Sequence, residues 1–214
     1  MFLRALKRNN RREWFKQRKE QYEAVVRAPM IAIVERLADD FRAFAPDVVA
    51  SPATSLYRIY RDTRFSENKT PYKTHIAAIF PTRGLPKHQG AGLYFHVSTE
   101  EVWAGGGMYA PDTPHLHAVR EHLAANFKRL KSIIESPAFR REVGPLEGER
   151  LKRVPRGFPA DHPAAEYLRY RQFIVGREFP AAFATSPRFY DAILNVFRRV
   201  APFSRFLNEP LTKD

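Results

Sequence analysis

The feature that most restricts the fold is a series of short apolar segments in the middle of the chain. Each segment is rich in aromatic or β-branched residues and is bounded by proline or polar residues, which is typical of strands. They cover residues 56–61, 75–80, 93–98 and 102–106, with residues 172–179 as a candidate fifth strand. Because parallel neighbours need long crossover connections, the short connections between the first four predict an antiparallel or mixed sheet of four to six strands.

Apolar residues at helical spacing precede this region. One helix is predicted to begin at Asn10, where Glu13 completes a capping box. It continues to Pro29, and a second helix runs from Met30 to Pro46. Together they predict an antiparallel helical hairpin at the N-terminal end of the domain.

Further helices are predicted after the strands. Thr113, followed by proline, opens a helix whose single apolar stripe continues to Ile134. Ser136 and Ser186, each also followed by proline, open two more helices. Residues 144–163 are rich in glycine, proline and charge, and this composition predicts a surface loop.

Bulk composition limits the class of protein. The 214 residues contain no cysteine, which excludes disulfides, thiolate metal sites and cysteine nucleophiles. No apolar stretch approaches the roughly 18 residues that a membrane span needs, and the first residues contain no apolar signal core. No linker composition divides the chain. We therefore expect one α+β domain over residues 1–214, located in the cytoplasm and without a membrane partner.

The balance of charge favours an anionic partner. The formal net charge is +13, although the basic residues are scattered and form no tail or block. Residues 57–61 and 167–171 interleave tyrosine with arginine, as single-strand nucleic-acid binders do. Ordinary amphipathic packing of tyrosine and arginine explains the same tracts. Nucleic-acid binding is therefore one hypothesis, and a protein-interaction module without catalysis is another.

Residues 58–75 hold a dense group of cationic and hydroxyl side chains. Its cations are Arg58, Arg61, Arg64, Lys69 and Lys73. Arginine binds phosphate or carboxylate in a planar, bidentate manner, and lysine adds a point charge. Tyr60 and Tyr72 are predicted to orient the anion in such a pocket.

A structural role explains the same residues equally well. In that interpretation Arg58 and Arg61 pair with Asp62, Glu67 or carboxylates on the helices, and the group braces a long hairpin. The sequence alone does not choose between an anion pocket and a brace.

Three consecutive glycines, Gly105, Gly106 and Gly107, end the fourth predicted strand. Glycine lets the backbone approach a ligand closely and present N–H groups to an anion, so this run is a candidate to complete the site. It lacks both the lysine ending of a P-loop and the spacing of a dinucleotide fingerprint. A bulge or a tight exit from the strand is the competing interpretation.

The motif R-I-Y-R-D-x-R-F-S at residues 58–66, followed by K-x-P-Y-K at residues 69–73, resembles the signature of the bacterial family called domain of unknown function 2461. The similarity extends to the pairs Asn9-Asn10 and Trp14-Phe15, the run from Gly106 to Pro111, and Arg120. The family has no established activity, so the resemblance implies none. Position 68 is usually acidic in the family pattern, whereas this chain has Asn68, and no catalytic base is assigned there.

Other chemical patterns are weaker. His115, His117 and His122 are close in sequence, but on a helix the first two point about 200° apart, so no metal site is predicted. The sequence contains no G-x-S-x-G nucleophile elbow. The resulting prediction is a domain with a pocket for a phosphate or carboxylate, without a cofactor. Whether it is an enzyme, which reaction it would perform and how it assembles are left open.

Overall fold

The computed structural model describes residues 2–212. Its helices are α1 Phe2–Arg8, α2 Arg12–Lys16, α3 Lys19–Tyr22, α4 Ala28–Phe44, α5 Pro52–Ser55, α6 Thr113–Ala125, α7 Phe127–Ile134, α8 Pro137–Glu142, α9 Ala165–Leu168 and α10 Phe189–Asn208. Its strands are β1 Ile76–Pro81, β2 Gly92–Val97, β3 Glu101–Met108 and β4 Phe173–Pro180. A π-helical turn, Glu23–Arg27, joins α3 to α4, and a 3-10 turn, Ala181–Thr185, follows β4. The α+β class is confirmed.

The four strands form one antiparallel sheet in the order β1-β2-β3-β4. The candidate strand at residues 172–179 is β4, which lies beside β3. Residues 56–61 do not form a strand of this sheet. Their backbone leaves β1 after Tyr57 and pairs instead with residues 71–73, where the Arg61 N–H donates to the Pro71 carbonyl over 2.9 Å.

Helix α10 covers one face of the sheet and forms the centre of the main core. Phe197 of α10 contacts Phe80 and Phe95 of the sheet, with ring centroids 5.7 and 6.2 Å apart. Phe41 of α4 packs against the same ring at 5.7 Å. Successive side chains of a strand point to opposite faces, so the apolar residues of each strand occupy this face and the intervening residues occupy the other.

The N-terminal helices pack on one another, but the chain does not turn at Pro29. Helical backbone continues from Lys19 through the π-helical turn to Phe44. The π turn ends at Arg27, two residues before the proline, and it changes the hydrogen-bond spacing close to the point where the proline lacks an N–H group. Phe2 of α1 folds back onto Tyr22, with ring centroids 5.9 Å apart.

Asn10 does not cap a helix, so the predicted capping box is wrong. Helix α2 begins at Arg12. The Asn10 side chain is occupied by a distant residue: its Oδ1 accepts from the Tyr72 N–H over 3.0 Å, and its Nδ2 donates to the Tyr72 carbonyl over 2.9 Å. Asn10 was predicted to bond to its own helix, and it instead joins the N-terminal helices to a segment 62 residues away along the chain.

The later helices begin close to the predicted residues. Asp112, rather than the threonine after it, caps α6, and Asn126 interrupts the single helix that was predicted there. Ser136 caps α8 as predicted, whereas α10 begins at Phe189, shortly after Ser186. Among residues 2–212, none of the helices has the length and apolar composition that crossing a membrane requires.

Candidate functional site

A cavity of about 720 Å³ lies on the sheet face opposite α10. Its floor consists of residues from all four strands. Its sides come from Tyr57, from residues just before β1, and from the segment between β1 and β2. Among its lining residues are Tyr57, Lys73, His75, Lys87, His88, Tyr94, His96, Glu101, Trp103, Gly106, Gly107 and Tyr109. The volume is in the range of small-molecule sites.

Strand alternation explains why polar and aromatic side chains gather here. Tyr94 and His96 of β2 point to the cavity, while the residue between them, Phe95, enters the core. Glu101 and Trp103 alternate in the same way on β3. The sheet therefore has one apolar face and one face that carries titratable and aromatic groups.

Small residues in β3 and β4 make room for the indole of Trp103. A Cβ atom added to Gly176 would overlap the indole ring, and one added to Gly105 would meet both the ring and the β4 backbone. The glycine run is not a tight exit from a strand, because it lies inside β3 and pairs with β2 and β4. Its residues serve close packing of the sheet, and Gly106 and Gly107 add backbone to the cavity wall.

Two lysines approach the same aromatic ring inside the cavity. The ammonium groups of Lys73 and Lys87 each lie 4.8 Å from the centroid of Tyr57. Burial lowers the pKa of both lysines, and nearby Arg58 and Lys87 lower that of Lys73 further. Lys87 also donates to the Thr54 carbonyl over 2.7 Å. Within residues 2–212, no carboxylate lies within 4.0 Å of either ammonium group.

Two imidazoles lie beside these lysines. The rings of His75 and His96 have centroids 5.7 Å apart. His96 Nε2 is 3.2 Å from Glu101 Oε1, so the carboxylate fixes one edge of this ring. Burial, His96 and Lys73 together lower the pKa of His75, because each disfavours the imidazolium form. His75 is therefore neutral at pH 7 and keeps a lone pair on one ring nitrogen.

The hydroxyls of Tyr57 and Tyr94 remain protonated at neutral pH. Burial is the main cause that raises the pKa of Tyr57 and of Tyr94 above the usual value. Tyr94 also packs against Trp103 and His96, with ring centroids 5.9 and 5.7 Å apart. These rings form a continuous aromatic wall against which a flat group can pack. The hydroxyls of Tyr57 and Tyr94 can donate hydrogen bonds to that group.

The cationic residues predicted at 58–75 do not all come together. Lys73 faces the cavity, and exposed Arg58 lies near enough to lower the pKa of Lys73. Arg64 instead makes a bidentate pair with Asp62, at 3.0 and 2.7 Å. Local pairing therefore accounts for one member of the predicted cluster, although the brace interpretation gave Asp62 to Arg58 or Arg61 and not to Arg64.

The other two cations also have contacts within their own loop. Arg61 donates to the hydroxyls of Thr70 and Ser66 over 2.8 and 3.3 Å. Lys69 donates to the Thr63 carbonyl over 3.0 Å. Neither residue lines the cavity. The loop between Arg61 and Thr70 is consequently held by its own polar groups.

The two predicted tyrosines lie outside the cavity as well. Tyr72 is buried in the N-terminal cluster, where its ring stacks on Phe15 with centroids 4.2 Å apart. Tyr60 is half exposed and packs against Tyr72 at 5.5 Å. Both rings join the 58–73 segment to the N-terminal helices, which is a packing role.

Two further patterns from the sequence have local explanations. In the second tyrosine–arginine tract, Arg169 pairs with Glu166 and Arg171 with Glu149. The His115 ring contacts the carboxylate of Asp112, the residue that caps its helix. Residues 2–212 contain no cluster of three or more histidine and carboxylate side chains suited to a metal ion. Nucleic-acid binding stays a prediction.

Sequence analysis missed most of the cavity residues, among them Tyr57, His75, Lys87, Tyr94, His96, Glu101 and Trp103. A usable signal was present. In the strand predicted at 93–98, Tyr94 and His96 occupy alternate positions, and the strands predicted at 75–80 and 102–106 add His75 and Trp103. A solvent-facing side of a sheet usually carries small polar or charged groups instead.

The chain was also compared with known proteins. A family model described as "Conserved hypothetical protein (DUF2461)" matches residues 1–206. Neither the curated proteins nor the solved structures include a match to the chain.

Proposed function

The chain belongs to the DUF2461 family of conserved hypothetical proteins, and from its cavity we propose that it binds a small anionic ligand that carries a flat ring. The observation that carries this proposal is the position of Lys73 and Lys87 on the same Tyr57 ring. A phosphate or carboxylate between the two ammonium groups would give both lysines an anionic partner, since the one carboxylate among the lining residues, Glu101, contacts His96 instead.

The electrostatics of the lysines support an anion. Burial lowers the pKa of both lysines, and for Lys73 the nearby positive charges of Arg58 and Lys87 lower it further. An anion would offset both the burial and the mutual repulsion. Because the site is partly shielded from water, each charge-assisted hydrogen bond would be stronger than on an open surface.

The aromatic wall supports a ring as the second part of the ligand. Tyr57, Tyr94 and Trp103 present ring faces and edges beside the lysines. A ring that stacks there would bury apolar area while its anionic substituent reaches Lys73 or Lys87. The preferred ligand class is therefore an aromatic or heteroaromatic phosphate or carboxylate.

Isothermal titration calorimetry with phenyl phosphate, benzoate and inorganic phosphate tests the proposal. We expect phenyl phosphate to bind more tightly than inorganic phosphate, because only the former has a ring to stack. Replacing Lys73→Met or Lys87→Met should weaken phenyl phosphate binding about tenfold, the loss expected for one charged hydrogen bond.

Lys69→Met is the matched control. It removes the same charge from the same basic segment, but Lys69 lies outside the cavity. Its affinity for phenyl phosphate should stay within about twofold of the original chain, since only long-range attraction changes. If none of the three probes binds, or if Lys69→Met weakens binding as much as Lys73→Met, the proposal fails.

A further inference from the structure

The two histidines of the cavity have opposite electrostatic surroundings. His75 faces Lys73 and His96, and its pKa is lowered by burial and by both of these groups. His96 faces the Glu101 carboxylate across 3.2 Å, and its other neighbours are His75 and Tyr94. Paired titratable groups whose surroundings differ in this way are typical of a general base and a general acid.

The positions of the rings suit the two roles. His75 immediately precedes β1, and His96 lies on β2 opposite Ala77, so the two imidazoles are diagonal neighbours on one sheet face. With centroids 5.7 Å apart, the two rings are close enough to reach one reacting group that lies against both of them. Lys73 lies beside this pair, where it can stabilise negative charge that develops on non-bridging oxygens.

We infer that the cavity cleaves ribonucleotide phosphodiesters by transesterification, with His75 as the base and His96 as the acid. The inference rests on the proposed binding of an anion that carries a ring, and a nucleotide is one such ligand. It also identifies the nucleophile, which is the 2′-hydroxyl of the substrate. An internal hydroxyl next to the phosphate has a high effective concentration, so no nucleophile from the protein is needed.

Each bond and proton in the step has a source and a destination. His75 takes the proton of the 2′-hydroxyl while the 2′-oxygen forms a bond to phosphorus. The bond between phosphorus and the 5′-oxygen breaks, and that oxygen takes a proton from the His96 imidazolium. The products are a 2′,3′-cyclic phosphate and a free 5′-hydroxyl. Glu101 contacts His96 Nε2 and acts as a positioning residue for that ring.

The test uses uridylyl-3′,5′-uridine and its analogue without the 2′-hydroxyl. We expect cleavage of the ribose compound to a 2′,3′-cyclic phosphate and no cleavage of the deoxyribose compound. His75→Ala and His96→Ala should each lower kcat by about 10²–10⁴-fold, the usual contribution of a general acid or base. His75→Gln and His96→Gln, which keep a polar side chain, serve as second variants if either alanine variant does not fold.

The control variant is His117→Ala, because His117 is an exposed residue of α6 next to Glu121. It should leave kcat unchanged, which would show that the loss in the other variants is specific to the histidines of the cavity. The pH–rate profile should have an acidic limb below 6.5, the ordinary histidine value from which the pKa of His75 is lowered. Glu101→Gln should lower kcat, because His96 loses the carboxylate that holds its ring in position.

Binding of the deoxyribose analogue separates this inference from the proposed function. It is measured by the fluorescence of Trp103 in a Trp14→Phe background. If the analogue binds but the ribose compound is not cleaved, the transesterification is wrong and the binding site stands. If neither dinucleotide nor phenyl phosphate binds, both proposals fail. Cleavage that persists in the double variant His75→Ala, His96→Ala also overturns the inference.

Discussion

The side-chain amide of Asn208 pairs with both backbone groups of Ala91. Its Oδ1 accepts from the Ala91 N–H over 2.7 Å, and its Nδ2 donates to the Ala91 carbonyl over 2.9 Å. The contact joins the last residue of α10 to the segment that carries Lys87 into the cavity. Asn10 makes the same pair of bonds with Tyr72, next to Lys73. Asn208 thus anchors the segment that carries Lys87, and Asn10 anchors the segment that carries Lys73.

Asn208→Ala should lower the free energy of unfolding by about 3 kcal/mol. The change removes the two bonds to Ala91 and a third, from Nδ2 to Thr82 over 2.8 Å, and leaves buried backbone groups without partners. Urea unfolding measures the loss. Asn195→Ala, at an exposed position of the same helix, should change the free energy by less than about 0.5 kcal/mol. Equal effects of the two variants would contradict the anchoring role.

Asn10→Ala should cost about 2 kcal/mol, because two partly buried hydrogen bonds are lost. It should also weaken phenyl phosphate binding, since Lys73 follows Tyr72 directly. The matched variant is Asn9→Ala, which loses only a bond from Nδ2 to the Ala5 carbonyl within the same turn. Urea unfolding and calorimetry on both variants check the prediction. A loss of affinity in Asn9→Ala alone would show that the anchor lies elsewhere.

Gly107→Ala should destabilise the sheet by about 3 kcal/mol. The glycine has φ +119, and an added Cβ would overlap the Phe173 carbonyl of β4, so β3 and β4 would have to separate. Gly84→Ala is the control, because Gly84 also has a positive φ of +81 but has no atom within 4 Å of the added Cβ. Its cost should be the backbone strain alone, about 1 kcal/mol. The difference between the urea midpoints of the Gly107→Ala and Gly84→Ala variants measures the cost of the steric overlap.

Stability should fall as the pH decreases below neutrality. Burial is the main cause that lowers the pKa of His75 and of His122 in the folded protein, below the value of 6.5. As the pH falls through 6.5, the unfolded chain takes up protons on these residues that the folded chain does not, which favours unfolding. Urea midpoints at pH 8 and pH 5.5 measure the loss.

The double variant His75→Gln, His122→Gln should show a smaller loss between these two pH values, since it removes both titrating groups. His117→Gln should behave like the original chain, because His117 is exposed. A loss of unchanged size in the double variant would mean that other groups cause the pH dependence.

Local patterns in the sequence were sufficient for most of the secondary structure. Strands β1 to β4 and helix α8 follow from apolar alternation, turn residues and a serine cap, because these features act between near neighbours. Predictions failed where a distant partner used the same group. Asn10 has the sequence context of a cap, yet its amide is bonded to Tyr72, and residues 56–61 have strand composition but lack a continuous partner strand.

The sequence by itself determined the α+β class, the apolar face of each strand and the presence of several cations near Lys73. Only the tertiary structure decided which cations meet. Arg64 is satisfied by Asp62 inside its own loop, whereas Lys73 comes within 4.8 Å of the ring that Lys87 approaches from another segment. Secondary structure depends on interactions between close neighbours, while a cavity depends on how separate segments pack, which spacing along the chain does not specify.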